Sequence, residues 1–456
     1  MNFYKDYDFN LHRLTHDEQS AVALMKQMLQ LAAQIDEKQL DRNAPGSNFY
    51  PKDVTKEELL DASAKDQSIL SPYTVVKRSD DGALYTIPFH KEYAEELKKI
   101  SDLAKEASAL DLEQPVKVYL EKLSQAALDD SWEELENYWL TVDRNKLDFQ
   151  LAPIEAYLDG ILSVKHTFQG SIRYASEKSN FNPEKYIETI KAIQLTNIEA
   201  VNFMRSSTIV RVDDVIASAG HHVAVPPRGS NYPNDIKKVA QYGTKLIVHT
   251  DNIIAREKGS LIPMLKLIVK PSVLENFTEE DLFAAGIRNV LSHEIAEAFI
   301  KYPDTVFRLK DMYFPVRELN SSLIGLKIAA NHVLQGALSH KGYEAMLLTL
   351  FVGRSFSDLL RNENPEHFSR GLTYYIKGYV AVFNYFLEYG AVTITSDQYL
   401  DVNFNKVFAC IDQLSTEIEE IKKNGTEVQA TEFFEKYEDY KFVDPFRERL
   451  KGITFN

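Results

Sequence analysis

The chain has 456 residues, which is long for one hydrophobic core, so two domains or lobes are expected. Its 52 Lys and Arg against 67 Asp and Glu give a net charge of −15, which argues against nucleic acid or an anionic membrane surface as the main partner. The single cysteine, Cys410, excludes an internal disulfide and suits a reducing compartment. Neither an apolar signal core nor a run of about 18 apolar residues occurs, so we expect a cytoplasmic protein without a membrane span.

The first half of the chain mixes helical and β patterns. Apolar residues recur at helical spacing after residue 16, and Thr55 stands three residues before Glu58, as in a capping box. The Asp81-Gly82 pair is typical of a tight turn between two strands. In chain order, the predicted elements are a helix over 16–40, a loop over 43–51, a short helix from Thr55, two strands within 71–88 and helix over 91–137.

The second half changes from a β-rich stretch to an almost continuous helical pattern. Residues 209–252 are β-rich, and their predicted strands are 209–212, 221–225 and 245–249. From about 278 to 422 the pattern is helical, and one helix is expected over 279–301, with Gly286 as a point where it could be interrupted. This order indicates an α+β fold, predominantly α, with a mixed α/β lobe over 1–277 and a mainly helical lobe over 278–456. The N-terminal helices could pack on the second lobe.

The run that contains His293-Glu294 carries half of a strong metal motif. A zinc-peptidase helix places a second His four or five residues after the first, so that one helical turn brings both imidazoles to one metal and the Glu activates the bound water. Here those positions hold Glu297 and Ala298. Whether this half motif still binds a metal must therefore be inferred from other segments of the sequence.

Several segments taken together resemble the dipeptidyl-peptidase III family of zinc metallopeptidases, especially its bacterial branch. The resemblance runs from about residue 43 to 445 and rests on 44–53, 71–76, 147–159, 230–235, the helix at His293 and 313–326. It implies two lobes flanking a wide cleft: one lobe with a β-barrel-like core and the other mostly helical. It further implies that a peptide binds in this interlobe cleft, with zinc on the wall formed by the helical lobe.

The resemblance also implies roles for the residues of the motif. His293 matches the first zinc-binding His, Glu294 the catalytic acid/base, and Glu318 the ligand from a second helix. The second-helix motif, usually Glu-Glu-x-(Lys/Arg)-Ala-(Asp/Glu), reads Arg317-Glu-Leu-Asn-Ser-Ser322 here, so its terminal acids are replaced. An arginine at position 317 is unfavourable beside a dication unless its side chain points away.

Glu297 offers a substitute for the missing His. It lies four residues after His293 and hence on the same face of the helix, and a carboxylate is an accepted zinc ligand. Because two carboxylates shift the preference toward harder ions, Mn²⁺ or Fe²⁺ would compete with zinc at such a site. The alternative is that Glu297 is a solvated helix residue beside a site that holds no metal.

On the substrate side, the family uses a Glu for the free amine, a Tyr for the oxyanion and two Asn for the N-terminal backbone of the peptide. The matching residues are Glu155, Tyr157, Asn231 and Asn234, and the alternative is that all four are structural. Counting back from Leu387-Glu-Tyr-Gly390 places Tyr375 where the family has a proton-handling His. Tyrosine donates hydrogen bonds but does not shuttle protons near neutral pH.

Three functions remain open from sequence alone. The first is a catalytically impaired metallopeptidase that retains a peptide-binding cleft, and it follows from the missing His, the altered second-helix motif and Tyr375. The second is an active dipeptidyl exopeptidase that uses a His293/Glu297/Glu318 metal site. The third is an interaction role in which the cleft is unused. Zinc is the expected metal if one is bound, and peptides are the expected partners.

Overall fold

The computed structural model describes most of the chain. The described residues are 3–41, 43–143, 145–156, 158–176, 188–189, 208–224, 226–233, 236–299, 302, 304–363 and 370–454. Within these ranges, no helix combines the length and the hydropathy that crossing a bilayer requires.

The described residues divide between two compact units. The first lies within Met1–Glu177 and Val212–Pro227, and the second within Lys178–Arg211 and Arg228–Asn456. The chain therefore leaves the first unit and returns to it once. The predicted division into lobes at residues 277 and 278 stays a prediction.

The first unit combines helices with a sheet. Its helices are α1 (His16–Gln39), α2 (Lys56–Ser63), α3 (Phe89–Glu92), α4 (Ala94–Ser108), α5 (Gln114–Asp129), α6 (Trp132–Thr141) and α7 (His221–Ala224). Its strands are β1 (Tyr4–Asp6), β2 (Thr74–Arg78), β3 (Leu84–Pro88), β4 (Leu147–Glu155), β5 (Thr167–Ala175) and most of β6 (Thr208–Ala219). The strands β4, β5, β6 and β1 are consecutive antiparallel neighbours, and β2 and β3 form a separate hairpin.

Helix α1 packs closely on strand β5 in the core of this unit. It begins with a capping box in which Thr15 and Glu18 satisfy each other's backbone amides. A Cβ at Gly170 would lie 2.7 Å from a methyl group of Leu29, so only glycine permits this approach of helix and strand. The ring of Phe168 lies beneath the helices, 5.3 Å from Trp132 in an edge-on contact.

The second unit is mainly helical. Its helices are α8 (Ile236–Tyr242), α9 (Thr250–Arg256), α10 (Ile262–Ile268), α11 (Pro271–Leu274), α12 (Glu279–Phe299), α13 (Thr305–Leu309), α14 (Tyr313–Leu334), α15 (His340–Leu347), α16 (Arg354–Glu363), α17 (Arg370–Glu388), α18 (Phe404–Asn424), α19 (Glu427–Lys436) and α20 (Arg447–Leu450). Its hairpins are β7 (Gly229–Tyr232) with β8 (Thr244–His249), and β9 (Val392–Ile394) with β10 (Leu400–Val402). Two π-helical stretches, Glu257–Leu261 and Leu348–Gly353, join α9 to α10 and α15 to α16.

Helices α12 and α14 approach each other closely at Gly325. A Cβ at this position would lie 3.0 Å from the Cβ of Ser292 and 3.1 Å from the backbone nitrogen of His293. The lack of a side chain at Gly325 therefore lets α14 lie directly against the segment of α12 that carries the His-Glu motif. The two helices pack into one apolar core with the other helices from α10 to α19.

Much of the predicted secondary structure is confirmed. Helix α1 ends one residue before the predicted limit, and Thr55 caps α2 by accepting a hydrogen bond from the backbone of Glu58. Helix α12 covers the described part of the predicted 279–301 helix and continues through Gly286 without interruption. Glycine lowers helix propensity by about 1 kcal/mol, which packing on both sides of this helix outweighs.

One predicted strand is wrong, and several strands were not predicted. Residues 221–224 form α7 rather than a strand, because Gly220 adopts a φ of +70° that ends β6 in a turn; Val225 lies outside the described residues. The helical pattern predicted over 91–137 is confirmed as the consecutive helices α4, α5 and α6, with one break before α5 and another at Asp130, which has a left-handed φ of 61°. The strands β4 and β5 were not predicted, and β9 and β10 interrupt the run predicted as helix.

Candidate metal centre

The His-Glu motif and the second-helix motif meet on facing surfaces of α12 and α14. Helix α12 supplies His293, Glu294 and Glu297, and α14 supplies Arg317 and Glu318. We call these five residues the carboxylate centre. His293 and Glu297 are one turn apart on the same helical face, so their side chains reach the same point opposite Glu318.

Three donor atoms of the carboxylate centre converge. The Nε2 atom of His293 lies 3.3 Å from Oε2 of Glu318 and 3.7 Å from Oε2 of Glu297. One atom from each of the three residues falls within 4.8 Å of the others. Ligands at about 2.0–2.2 Å from one ion are separated by roughly 3–4 Å, so these side chains need to move little to share a cation.

An orphaned oxygen supports the same interpretation. Oε2 of Glu318, on a side chain that is only 5% exposed, receives no well-aligned hydrogen bond from the described residues, and Nε2 of His293 lies 3.3 Å from it. A buried carboxylate oxygen that lacks a donor is costly unless a cation or water completes it. The residues present therefore fit a divalent metal ion, with Glu297 in the place of the missing His.

Ser322 orients His293 from the second helix. Its hydroxyl lies 3.1 Å from Nδ1 of the imidazole, which leaves Nε2 directed at the two carboxylates. Ser322 follows Glu318 by four residues, so both face α12. The family pattern has an acidic residue at position 322; helical spacing could have placed Ser322 on the same face as Glu318, but it could not have identified the contact with His293.

Arg317 points into the centre, which is the orientation that is unfavourable beside a dication. Its Nη2 lies 2.6 Å from Oε1 of Glu318 and 3.0 Å from Oε1 of Glu297, while the guanidinium carbon stands 5.2 Å from the ring centre of Phe314. The physical reason is that Arg317 forms ion pairs with two carboxylates in this orientation, and these pairs neutralise its charge. Each carboxylate thus gives one oxygen to Arg317 and turns the other toward His293.

The pKa values of the centre reflect this crowding of charges. Burial acts to lower the pKa of His293, but its contact with Glu318 and the charges of the nearby carboxylates outweigh burial and raise it. Burial acts to raise the pKa of Glu318, yet His293 and Arg317 lower it to about 2. For Glu294, burial and the charge of Glu297 raise the pKa to about 7. Glu294 is thus the carboxyl group suited to exchange a proton near neutral pH.

Strand β7 lies directly against Glu294. A Cβ at Gly229 would come within 2.7 Å of the Cδ atom of Glu294, so a larger residue here would have to displace the Glu294 side chain. Because side chains alternate along a strand, Asn231 is on the same face of β7 as Gly229. The structure therefore places Asn231 on the side of the strand that faces the His-Glu helix, and it leaves Asn234 outside the described residues.

An aromatic stack borders His293 on another side. The ring of Tyr375 on α17 lies 6.2 Å from the imidazole, and Tyr379, one turn later, lies 6.3 Å from Tyr375. Burial, followed by the charge of Glu318, raises the pKa of Tyr375 well above its ordinary value. The phenol therefore remains protonated at physiological pH and acts as a hydrogen-bond donor.

The remaining substrate-side residues belong to the first unit. Glu155 is the last residue of β4, at the point where the chain leaves the sheet, and Tyr157 lies outside the described residues. The loop that follows is fixed by Asp159, whose Oδ2 accepts hydrogen bonds from Tyr50 at 2.8 Å and from the amide of Val164 at 2.9 Å. This contact joins 44–53 and 147–159, two of the segments on which the family resemblance rests.

Comparison with known proteins agrees with the motif analysis at the level of fold. Dipeptidyl-peptidase III from Caldithrix abyssi matches with a TM-score of 0.84 and 20% identity, over 98% of this chain and 95% of that one. The same enzyme from Corallococcus sp. strain EGB matches with a TM-score of 0.74 and 21% identity, over 99% of this chain and 94% of that one.

A curated relative adds a different name. Nudix hydrolase 3 of Arabidopsis thaliana is 25% identical over 443 residues, which are 90% of this chain and 56% of that protein, so this chain spans little more than half of the relative's length. No protein-family model matches. The chain therefore has the predominantly helical α+β fold of dipeptidyl-peptidase III, as its motifs indicated.

Proposed function

We propose that this protein binds a divalent metal ion through His293, Glu297 and Glu318, that it binds peptides, and that its peptidase activity is impaired. The observation that carries the proposal is the arrangement of the two carboxylates. One oxygen of each is turned toward Nε2 of His293, and the other is held by Arg317. In this arrangement the three residues can still share a metal ion, but Arg317 competes with that ion for both carboxylates.

The charge of the centre favours a dication. Three carboxylates face one guanidinium, so the centre carries up to two uncompensated negative charges when His293 is neutral. Burial of such a charge is unfavourable unless a counterion neutralises it. When bound, the metal would supply Lewis acidity to a water molecule and a substrate carbonyl.

The chain's own residues would perform the remaining tasks of a peptide site. Glu294, on the helix that carries the His-Glu motif, has a pKa of about 7 and can hold or release a proton near neutral pH. Asn231 on β7 offers an amide to the backbone of an extended peptide, as an exposed strand does when a peptide adds to it. For Glu155 we propose the role of binding the peptide's amino group, and for Tyr157 and Asn234 the roles that the sequence implied.

Three features account for the proposed impairment. Glu297 replaces a neutral imidazole with a negative ligand, which leaves the metal less electrophilic. Arg317 withdraws one oxygen from each carboxylate and places a positive charge beside the ion. Tyr375 stands beside His293 with a raised pKa, so it cannot relay a proton near neutral pH.

An active dipeptidyl exopeptidase is the second candidate. It is favoured by Glu294, because a carboxyl group that titrates near pH 7 suits general acid and base catalysis in one cycle. In this scheme Glu294 takes a proton from the attacking water and returns it to the leaving amine. The two candidates differ in turnover and not in the residues that bind metal.

Metal analysis and turnover together test the proposal. Purified protein is incubated with Zn²⁺ or Mn²⁺, desalted and analysed for bound metal; we expect about one ion per chain, and loss of binding in Glu297→Ala. The exposed Glu280→Gln on the same helix is the matched control and should bind as the unmodified protein does. An absence of bound metal in every preparation would refute the metal site.

Turnover is measured on dipeptidyl-arylamide substrates with the metal-loaded protein. We expect release to be absent or very slow, while a peptide with a free amino terminus binds more weakly to Glu155→Ala. Rapid, chelator-sensitive release of dipeptides that disappears in Glu294→Gln would establish the exopeptidase instead.

A further inference from the structure

A second group of charged side chains lies in the same unit and takes no part in the carboxylate centre. It contains four arginines and two carboxylates, drawn from the residue that precedes β7, the end of α9, the first π-helical stretch and α16. We call it the arginine cluster: Arg228, Arg256, Arg354 and Arg361 with Glu257 and Asp358.

The sequence brings these residues together through helix geometry. On α16, Arg354, Asp358 and Arg361 are spaced four and three residues apart, so they occupy one face. Arg256, the last residue of α9, donates to Asp358 and lies 3.3 Å from the hydroxyl of Ser357. Helix α16 and the end of α9 therefore share one charged interface.

Several guanidinium groups in this cluster are buried without partners. Arg354 is only 6% exposed, and it makes no hydrogen bond or ion pair with the described part of the chain. Nη1 of Arg228, Nη1 of Arg256 and Nε of Arg361 are also buried with no hydrogen-bond partner among the described residues. A buried arginine normally forms several hydrogen bonds, since each unmet donor costs about 1–3 kcal/mol.

The cluster has more positive charge than its carboxylates can neutralise. Four guanidinium groups against Glu257 and Asp358 leave two positive charges that the cluster itself does not neutralise. Burial, and then the charges of Arg228 and Arg354, lower the pKa of Arg256, as expected for like charges gathered in one place. An interior that gathers like charges in this way lacks a counterion.

Two backbone features mark the same place. Arg256 immediately precedes the π-helical stretch Glu257–Leu261, and Arg354 immediately follows the stretch Leu348–Gly353. A Cβ at Gly353 would lie 3.1 Å from Leu261, so the two stretches pack against each other. π-Helical turns are rare and occur often at functional sites.

We propose that the arginine cluster binds a dianionic tetrahedral oxyanion, either inorganic phosphate or sulfate or the phosphate group of a small phosphomonoester. Two negative charges match the uncompensated positive charge, and the oxyanion's oxygens can accept hydrogen bonds from Arg354, Arg228 and Arg361. Planar guanidinium groups bind such oxygens in pairs. The site shares no residue with the carboxylate centre and needs no metal there.

Thermal unfolding of the full chain tests this binding. The protein is dialysed against chloride buffer, and its Tm is measured with phosphate, sulfate, phenyl phosphate or sodium chloride at equal ionic strength. We expect phosphate or sulfate at about 100 times its Kd to raise Tm by at least about 2 °C above the chloride value. Equal Tm values in all four solutions would overturn the proposal. Stabilisation by phenyl phosphate as well would identify phosphomonoesters as ligands, and stabilisation by the inorganic ions alone would identify a closed site for free anion; each supports it.

Variants separate an anion site from a structural cluster. Arg354→Met should lose the phosphate-dependent rise in Tm, yet be at least as stable as the unmodified protein in chloride, because repulsion is relieved. Arg361→Gln should change the phosphate-dependent rise in Tm and the stability in chloride in the same directions. It replaces Arg354→Met as the test variant if Arg354→Met does not fold. Arg447→Gln is the matched control, since Arg447, on α20, pairs at the surface with Glu363, the last residue of α16; this variant should retain the full response. A phosphate response that persists unchanged in both cluster variants would overturn the proposal.

Discussion

The carboxylate centre and the arginine cluster lie in the same unit, and both are built from charged side chains of closely packed helices. They differ in how the charge is compensated. In the carboxylate centre, Arg317 binds both acidic ligands, so each carboxylate has at least one satisfied oxygen. In the arginine cluster, Arg354 forms no hydrogen bond or ion pair with the described residues, although only 6% of it is exposed.

The difference shows that burial alone does not identify what a charged group does. Arg317 is compensated within the chain, and what remains in its neighbourhood is an excess of negative charge directed at one point. The arginine cluster has the opposite excess, spread over side chains from four segments. A bound cation would neutralise the excess charge of the first group, and a bound anion that of the second. The variants of Glu318, Asp36 and Arg317 described below test whether a buried charge is compensated by the chain or by a bound ion.

The largest effect is expected from Glu318→Gln in the carboxylate centre. This change keeps the shape of the side chain but removes the negative oxygen that faces His293. We expect affinity for Zn²⁺ or Mn²⁺ to fall at least about 100-fold, since the loss of an outer partner alone costs 10- to 100-fold. Competition with a chromogenic chelator measures it. Glu280→Gln should change nothing, and unaltered affinity in Glu318→Gln would exclude Glu318 as a ligand.

A lone buried carboxylate in the first unit provides a reference for both groups. Burial raises the pKa of Asp36 to about 7, and its Oδ1 has no hydrogen-bond partner among the described residues. Because the folded protein holds this proton above the unfolded pKa of about 3.9, its stability falls as pH rises from about 4 to 7.

Asp36→Asn removes this titration. We expect the variant to be more stable than the unmodified protein by about 2–3 kcal/mol at pH 8 and nearly equal at pH 4. Urea unfolding at the two pH values measures the difference. A stability gap that is the same at both would mean that Asp36 is ionised in the folded protein and compensated by a contact.

A smaller effect, opposite in sign to that of Glu318→Gln, is expected from Arg317→Gln. A unit positive charge about 5 Å from a dication opposes its binding by several kcal/mol at an effective dielectric constant near 20. Loss of the guanidinium also frees the carboxylates to move, which costs part of that gain. We expect a net increase in metal affinity of about tenfold. Arg317→Lys keeps the charge and should show no increase; a decrease in Arg317→Gln would mean that orientation of the carboxylates dominates.

The smallest effect concerns the contact between β7 and Glu294. In Gly229→Ala the added methyl group must displace the Glu294 side chain, and we expect a loss of about 1 kcal/mol of unfolding free energy from overpacking. Gly259→Ala is a matched control because a Cβ there meets nothing within 4 Å. Equal stability of both variants would show that Glu294 moves aside freely and is not held by the strand.

The spacing of residues made part of the site predictable. His293 and Glu297 share a helical face for reasons that are local to α12, so sequence alone could place them together. Ser322 follows the same rule relative to Glu318, but its contact with His293 depends on the close packing at Gly325, which no local pattern reports. The direction of Arg317 was not predictable either, because it depends on a carboxylate that α12 presents from another segment.

The arginine cluster illustrates the limit of such reasoning. Arg228, Arg256 and Arg354 are far apart in the chain and belong to no common motif, so their meeting is a property of the tertiary fold. The strands β4 and β5 were missed for a related reason. Most of their residues are buried on both faces, including polar ones such as Gln150 and Ser171, so the alternating pattern of a half-exposed strand is absent.

The π-helical stretch Glu257–Leu261 has a consequence for the phase of the helices that it joins. Each residue of an α-helix turns the chain by about 100°, so a widened turn rotates everything that follows relative to a regular helix. Before the stretch, Arg256 faces charged side chains; after it, Ile262, Leu265 and Ile268 face the apolar core. Removal of one residue, such as the exposed Gly259, would restore a regular helix and turn one of these two surfaces away from its partner. The stretch thus lets a single length of chain serve two neighbours whose angular positions a regular helix could not match.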